Sequence, residues 1–127
     1  MLKSVRIMLA IAAYFDYEIW QMDVKTAFLN GNLTEDVYMI QPEGFVDPAN
    51  ADKVCKLQKS IYGLKQASRN WNIHFEQSIK SFGFVQNMDE PCVYKTGEGN
   101  TVVVLVLYVD DILLIGNDVG VLSTVKV

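Results

Sequence analysis

The stretch VVLVLYVDDILLIGND, from Val103 to Asp118, places two adjacent carboxylates inside a very apolar segment. A buried, unpaired carboxylate costs free energy, and a second one beside it adds like-charge repulsion. Two runs of β-forming residues flank Asp110 and Asp111, so the pattern predicts a hairpin with both aspartates at or next to its turn. Because this turn lacks glycine, we expect strained backbone at Val109 or Asp110. Taken alone, the pair is most simply interpreted as two solvent-exposed turn residues.

The surrounding sequence predicts an α+β fold in which an antiparallel sheet carries helices on one face. Residues 3–15 have a helix-forming composition and predict an amphipathic or buried helix. Apolar residues at three- and four-residue steps predict a second helix from residue 60 or 63 to residue 82, with Gly83 placed to end it. Alternating or β-branched runs predict strands at residues 17–23, 37–41, 92–96, 101–108 and 111–115.

Composition limits the classes of protein to which the chain can belong. Its 127 residues suit one compact domain or part of one, and half of them are hydrophobic. The net charge of −4 argues against a simple nucleic-acid-binding module, although residues 53–80 carry six bases and one acid, a local charge of +5. Cys55 and Cys92 have no paired spacing, which favours a reduced intracellular chain.

Two apolar stretches resemble membrane signals without meeting their requirements. The N-terminal run after Lys3 and Arg6 is short and ends at Asp16, and residues 102–115 are too few to span a bilayer. Two central aspartates would also cost roughly 5–7 kcal/mol on the insertion scale. We therefore expect a soluble, non-secreted protein with no membrane partner.

A third carboxylate changes the interpretation of the aspartate pair. Asp23 also ends an apolar strand, so two strands of one sheet are expected to end in carboxylates. Mg²⁺ prefers oxygen ligands, uses few protein carboxylates and completes its coordination with water and substrate phosphates. Two such ions about 3.5–4 Å apart can promote phosphoryl transfer. The pattern therefore indicates a metal-dependent site that acts on phosphates.

Three motifs carry a family resemblance. QMDVKTAFLNG, SIYGLKQASRNW and YVDDILLIGND resemble, in order and spacing, the reverse transcriptase (RNA-directed DNA polymerase) of copia-type long-terminal-repeat retrotransposons. VYMIQPEGF and NMDEPCVYK are also similar to that family, so the resemblance covers essentially the entire chain. It implies a polymerase palm-like sheet with incomplete fingers and no complete thumb. It also implies that residues 1–127 are a single partial domain, truncated at both ends.

The resemblance also implies roles for individual residues. Asp23, Asp110 and Asp111 would be the catalytic residues and the ligands of two Mg²⁺ ions, or of Mn²⁺. Phe28, five residues after Asp23, would be a steric gate against a ribose 2′-hydroxyl. The other residues expected to contact the nucleotide, the primer end or the template are Val24, Lys25, Thr26, Ala27, Gly63, Leu64, Lys65, Gln66, Tyr108 and Val109.

The implied partners are an RNA or DNA template with its primer, deoxynucleoside triphosphates and the missing remainder of the pol polyprotein. An intracellular, cytoplasmic location is expected, in a virus-like particle for an intact element. Three alternatives remain open from the sequence. One is an inactive, truncated remnant, and another is a metal-dependent phosphohydrolase, which would not need Phe28 or the loop at residues 63–66. The third is a single-strand-binding module that uses the bases from Lys53 to Arg69.

Overall fold

The computed structural model of the chain describes residues 2–125. The described residues form three α-helices: α1 (Leu2–Phe15), α2 (Ala67–Ser81) and α3 (Val119–Val125). They also form seven strands: β1 (Glu18–Asp23), β2 (Tyr38–Met39), β3 (Cys55–Lys56), β4 (Val85–Gln86), β5 (Val93–Thr96), β6 (Val103–Tyr108) and β7 (Asp111–Gly116). Short 3₁₀ helices cover Ala27–Asn30 and Pro48–Asn50.

Five of the strands form one sheet in the order β1-β7-β6-β5-β4, and every neighbouring pair is antiparallel. Strands β2 and β3 form a separate two-stranded sheet. These elements confirm the predicted α+β class with an antiparallel sheet. In this order β7 lies between β1 and β6, so the strand that ends at Asp23 is a direct neighbour of the strand that begins at Asp111.

The chain divides into two compact units. Unit 1 comprises Met1–Lys25 and Gln77–Val127, and it contains the five-stranded sheet. Unit 2 comprises Thr26–Glu76 and contains β2, β3 and both 3₁₀ helices.

The core of unit 1 is formed by β6, β7 and α3. Side chains of β6 and β7 are buried on both faces of the sheet, which explains why their sequences are apolar throughout rather than alternating. The residues that are nearly inaccessible to solvent are Val103, Leu105, Val106, Leu114, Ile115 and Leu122. This buried pair of strands gives the turn between them a rigid base.

Helix α2 begins later than the sequence predicts. The residues before it form a turn rather than helix, with the amide of Leu64 donating to the carbonyl oxygen of Ile61 at 3.4 Å and Gly63 at φ +94°. The predicted end is confirmed, because Gly83 has φ +84° and closes the helix. A stripe at four-residue spacing is buried: Ala67, Trp71, Phe75 and Ile79.

Helices contribute to both faces of the large sheet, whereas the sequence predicts only one covered face. Leu2 and Val5 of α1 line a cavity together with Leu113 of β7. On the same strand, a Cβ built on Gly116 would point at Leu122 of α3. Leu113 and Gly116 face opposite sides because side chains alternate along a strand. The prediction of a single covered face is therefore wrong.

Helix α1 has fourteen residues, of which only Ala12 is buried. The sequence predicts an amphipathic or buried helix here, and most of its apolar side chains are instead exposed in this chain. Across residues 2–125, no helix has both the length and the apolar character needed to cross a membrane.

Candidate active site

The β6–β7 hairpin closes with a two-residue turn, Val109–Asp110, because Tyr108 pairs with Asp111. Val109, the first turn residue, has φ +59°, and a positive φ at this position is typical of type II′ turns. Glycine is the usual residue at this position, and a β-branched residue there is an outlier. The predicted strain is confirmed at Val109. Val109 as a whole residue is 52% exposed, so no deep packing compensates for the backbone conformation.

Backbone pairing brings the third aspartate to this turn. Strand β1 pairs with β7 so that Asp23 lies opposite Asp111. Just beyond the strand, the amide of Val24 donates a hydrogen bond to the carbonyl oxygen of Asp110 at 3.1 Å. Two independent backbone links therefore hold the end of β1 against the turn. This geometry brings together the three aspartates that the sequence singled out.

The side chains at this end of the sheet share one face. Residues directly opposite on antiparallel strands point the same way, so Asp23, Asp111 and Tyr108 lie on a common face. Asp23 is exposed, and Asp110 and Asp111 are half-buried. Tyr108 is 58% exposed. The apolar strands thus end in an accessible polar edge.

A cavity of about 280 Å³ lies on the same face of unit 1. Its apolar walls come from α1 and from the central strands, and Asp111 and Tyr108 contribute its polar groups together with Gln21. Asp111 therefore borders a space that solvent or a small ligand can enter.

The three carboxylates have no cationic partner within residues 2–125, where no ion pair or side-chain hydrogen bond reaches any of them. Their oxygen-only donor set is chemically suited to Mg²⁺ or Mn²⁺. However, in the described part of the chain no three His, Cys, Asp or Glu side chains are grouped so that they could hold a metal ion. The backbone brings the three aspartates to one end of the sheet, and their side chains would have to converge to bind one ion together.

The segment after Asp23 contains a sharp change of direction. The amide of Val24 is already bonded to Asp110, so it is not free for the triphosphate contact expected of it. Thr26 has φ +54° and precedes the 3₁₀ helix Ala27–Asn30. Lys25 and Thr26 are exposed, and their amides remain candidates for the predicted contact with phosphate.

Unit 2 contains the other predicted contact residues. Ala27 is fully buried, whereas Phe28 is half-buried and its ring lies 4.8 Å from the ring of Tyr62, between centroids. The sequence interpretation missed Tyr62, although an aromatic residue directly before Gly63 was the available signal. Gly63 and Lys65 are exposed. The backbone carbonyl of Gln66 accepts a hydrogen bond from within the first turn of α2.

A buried serine fixes the backbone of unit 2 near these residues. Ser60 is fully buried, its amide donates to the carbonyl of Gly31 at 3.1 Å, and its hydroxyl accepts from the side chain of Asn70 at 3.2 Å. A Cβ on Gly31 would lie 3.0 Å from the Cβ of Asn70, so only glycine fits this approach without a shift. The segment that carries Phe28 is thereby held beside the loop that carries Tyr62.

Comparison with known proteins gives a consistent result. The sequence profile of a family described as "Reverse transcriptase (RNA-dependent DNA polymerase)" matches residues 1–127. The chain is 47% identical, over 126 residues, to the retrovirus-related Pol polyprotein from transposon TNT 1-94 of Nicotiana tabacum. That alignment covers 98% of this chain and 10% of the relative.

Two further relatives match over less of the chain. The Pol polyprotein from transposon RE1 of Arabidopsis thaliana is 44% identical over 115 residues, which are 91% of this chain and 8% of the relative. A transposon Ty5-1 protein of Saccharomyces cerevisiae is 41% identical over 93 residues, 73% of this chain and 30% of that protein. The chain thus spans a tenth or less of the plant polyproteins. No solved structure matches it.

Proposed function

Because the chain belongs to the reverse transcriptase (RNA-dependent DNA polymerase) family, we propose that it carries the nucleotidyl-transfer site of a copia-type retrotransposon Pol polyprotein. The site would extend a primer on an RNA or DNA template with deoxynucleoside triphosphates. The primer 3′-hydroxyl loses its proton, its oxygen bonds to the α-phosphorus, and pyrophosphate leaves. The main support is the strand register that places Asp23 opposite Asp111, with Val24 bonded to Asp110.

The carboxylates of Asp23 and Asp110 would be the principal ligands of two Mg²⁺ ions, and Asp111 would support them. When bound, these ions would neutralise phosphate charge and activate the attacking oxygen. The strained turn and the Val24–Asp110 hydrogen bond keep the carboxylates at one end of the sheet before substrate arrives. This backbone arrangement would limit the reorganisation to the three side chains, which would converge when the ions bind.

Other residues would bind and orient the substrates. Tyr108 and Val109 are both more than half exposed beside the turn, where a primer end could rest on them. Phe28 would fill the volume that a ribose 2′-hydroxyl needs. The exposed bases Lys65 and Arg69 lie in a part of the sequence with positive local charge, which suits contact with phosphates.

Primer extension tests this proposal directly. Because the relatives are far longer, the chain would replace its matching segment in the tobacco Pol polyprotein, to which it is 47% identical. Asp110→Asn keeps the size of the side chain and removes its charge, and it should lower nucleotide incorporation by at least about 100-fold.

Asp89→Asn is the matched control for this experiment. Asp89 lies in the same unit, is exposed, and has no side-chain hydrogen bond or ion pair within the described residues. It should leave incorporation within about twofold of the unsubstituted protein. Equal incorporation by Asp110→Asn would contradict the proposed site. An unsubstituted chimera that incorporates nothing would favour the inactive remnant.

A further inference from the structure

We propose that Tyr62 is a positioning residue for Phe28, so that sugar discrimination depends on a pair of rings and not on one. This inference rests on the proposed function, in which Phe28 is the steric gate. The ring centroids lie 4.8 Å apart and the planes are inclined by 41°. That separation is within the range in which aromatic pairs attract one another.

The turn before α2 fixes the place of Tyr62. The residues Ile61–Leu64 close a turn through the 3.4 Å bond between the Leu64 amide and the Ile61 carbonyl oxygen. Gly63 at φ +94° occupies the third position, which in type II turns requires a positive φ. Tyr62 therefore stands at the corner of the turn. Immediately before this turn, buried Ser60 is bonded on two sides.

The backbone of the gate residue is also fixed, but its ring is not fixed by the backbone alone. The 3₁₀ helix is held by the amide of Leu29 and the side chain of Asn30, which both donate to the carbonyl oxygen of Thr26, at 2.9 and 3.2 Å. Ala27, the first residue of this 3₁₀ helix, is fully buried. The Phe28 ring can still rotate about its side-chain bonds, and Tyr62 limits that rotation by contact.

Discrimination by a steric gate depends on the position of the ring to within a fraction of an ångström. The gate must distinguish two sugars that differ by one hydroxyl. A ring that rotates away no longer fills the volume that the ribose 2′-hydroxyl needs. Misplacement by about 1 Å can change a rate by about 100-fold. Tyr62 is half-exposed, and its ring is the part that contacts Phe28. Phenylalanine at position 62 should therefore preserve sugar discrimination, whereas alanine should not.

The test measures the ratio of kcat/KM for deoxynucleotides to that for ribonucleotides, in the same Pol chimera. Phe28→Ala should lower this ratio most, and Tyr62→Ala should lower it at least about 10-fold. Tyr62→Phe should stay within about twofold. Tyr38→Ala is the control, because Tyr38 is an exposed tyrosine of the same unit and, among the described residues, its ring does not pair with the ring of Phe28.

A second variant keeps the Tyr62 side chain but shifts its position. A Cβ on Gly63 meets no atom within 4 Å, but φ +94° is unfavourable for alanine, so Gly63→Ala should distort the turn and also lower the ratio. This variant keeps the inference testable if Tyr62→Ala does not fold.

Each result separates this inference from the proposed function. If Phe28→Ala loses discrimination while Tyr62→Ala keeps it, the inference is wrong and the polymerase proposal stands. If Tyr62→Ala slows both sugars equally, Tyr62 has only a structural role and the inference is again wrong. Unchanged discrimination in Phe28→Ala removes the gate and the inference with it. No incorporation by the unsubstituted chimera overturns both proposals.

Discussion

Glycine should stabilise the β6–β7 turn more than alanine does when either replaces Val109. This residue has φ +59°, a region in which a Cβ costs roughly 1–2 kcal/mol. Glycine avoids that cost but loses about 0.5–1 kcal/mol more conformational entropy on folding. Both variants lose most of the side chain of a residue that is already 52% exposed, so this loss largely cancels in the comparison. Val109→Gly should therefore be more stable than Val109→Ala by about 0.5–1 kcal/mol.

Thermal and urea unfolding of the 127-residue chain, followed by circular dichroism, would measure this difference. At about 2.1 cal/mol/K per residue, 1 kcal/mol corresponds to about 4 °C in Tm for a chain of this length. The control is the same pair of substitutions at Val104, inside β6, where φ is not positive. There alanine should be the more stable by about 0.5–1 kcal/mol. The same order at both positions would refute the strained-turn account.

Three further predictions follow from other contacts. Mn²⁺ should broaden amide resonances around Asp23 and Asp110 first, and excess Mg²⁺ should reverse this; broadening centred elsewhere would contradict the ligand assignment. Gly116→Ala should lower the free energy of unfolding by about 1–3 kcal/mol, because its Cβ would meet a carbonyl oxygen at 2.8 Å; unchanged urea unfolding would contradict this. Burial, and then the charge of Glu90, raises the pKa of the Cys92 thiol and so lowers its thiolate fraction. Glu90→Gln should therefore accelerate alkylation of Cys92 by iodoacetamide near about pH 8. An unchanged alkylation rate would contradict this electrostatic effect.

The hairpin and its strained turn could be predicted because their signals are local. Two apolar runs and the absence of glycine from the turn between them lie within sixteen consecutive residues, from Val103 to Asp118. The helices α1 and α2 were likewise recognisable from composition and periodicity. The start of α2 was not, because helical spacing continues through residues 61–64 while Gly63 and the bonds of Ser60 impose a turn there.

The cross-strand register could not be predicted from the sequence. That Asp23 lies opposite Asp111 depends on the pairing of strands that are far apart in the chain, and no local pattern specifies it. Strands β3 and β4 have two residues each, which is too short for an alternating pattern to appear. The contact between Phe28 and Tyr62 was missed for the same reason as the register, since it joins two separate loops.

The central claim is that Asp23 and Asp110 act as one catalytic unit, and a double substitution tests it most directly. Single-turnover nucleotide addition by the Pol chimera would be compared for Asp23→Asn, Asp110→Asn and both together. Residues that act as a unit have strongly non-additive effects on rate. The account predicts that the double variant is about as slow as the slower single variant. A loss in the double variant equal to the product of the two single losses would contradict it.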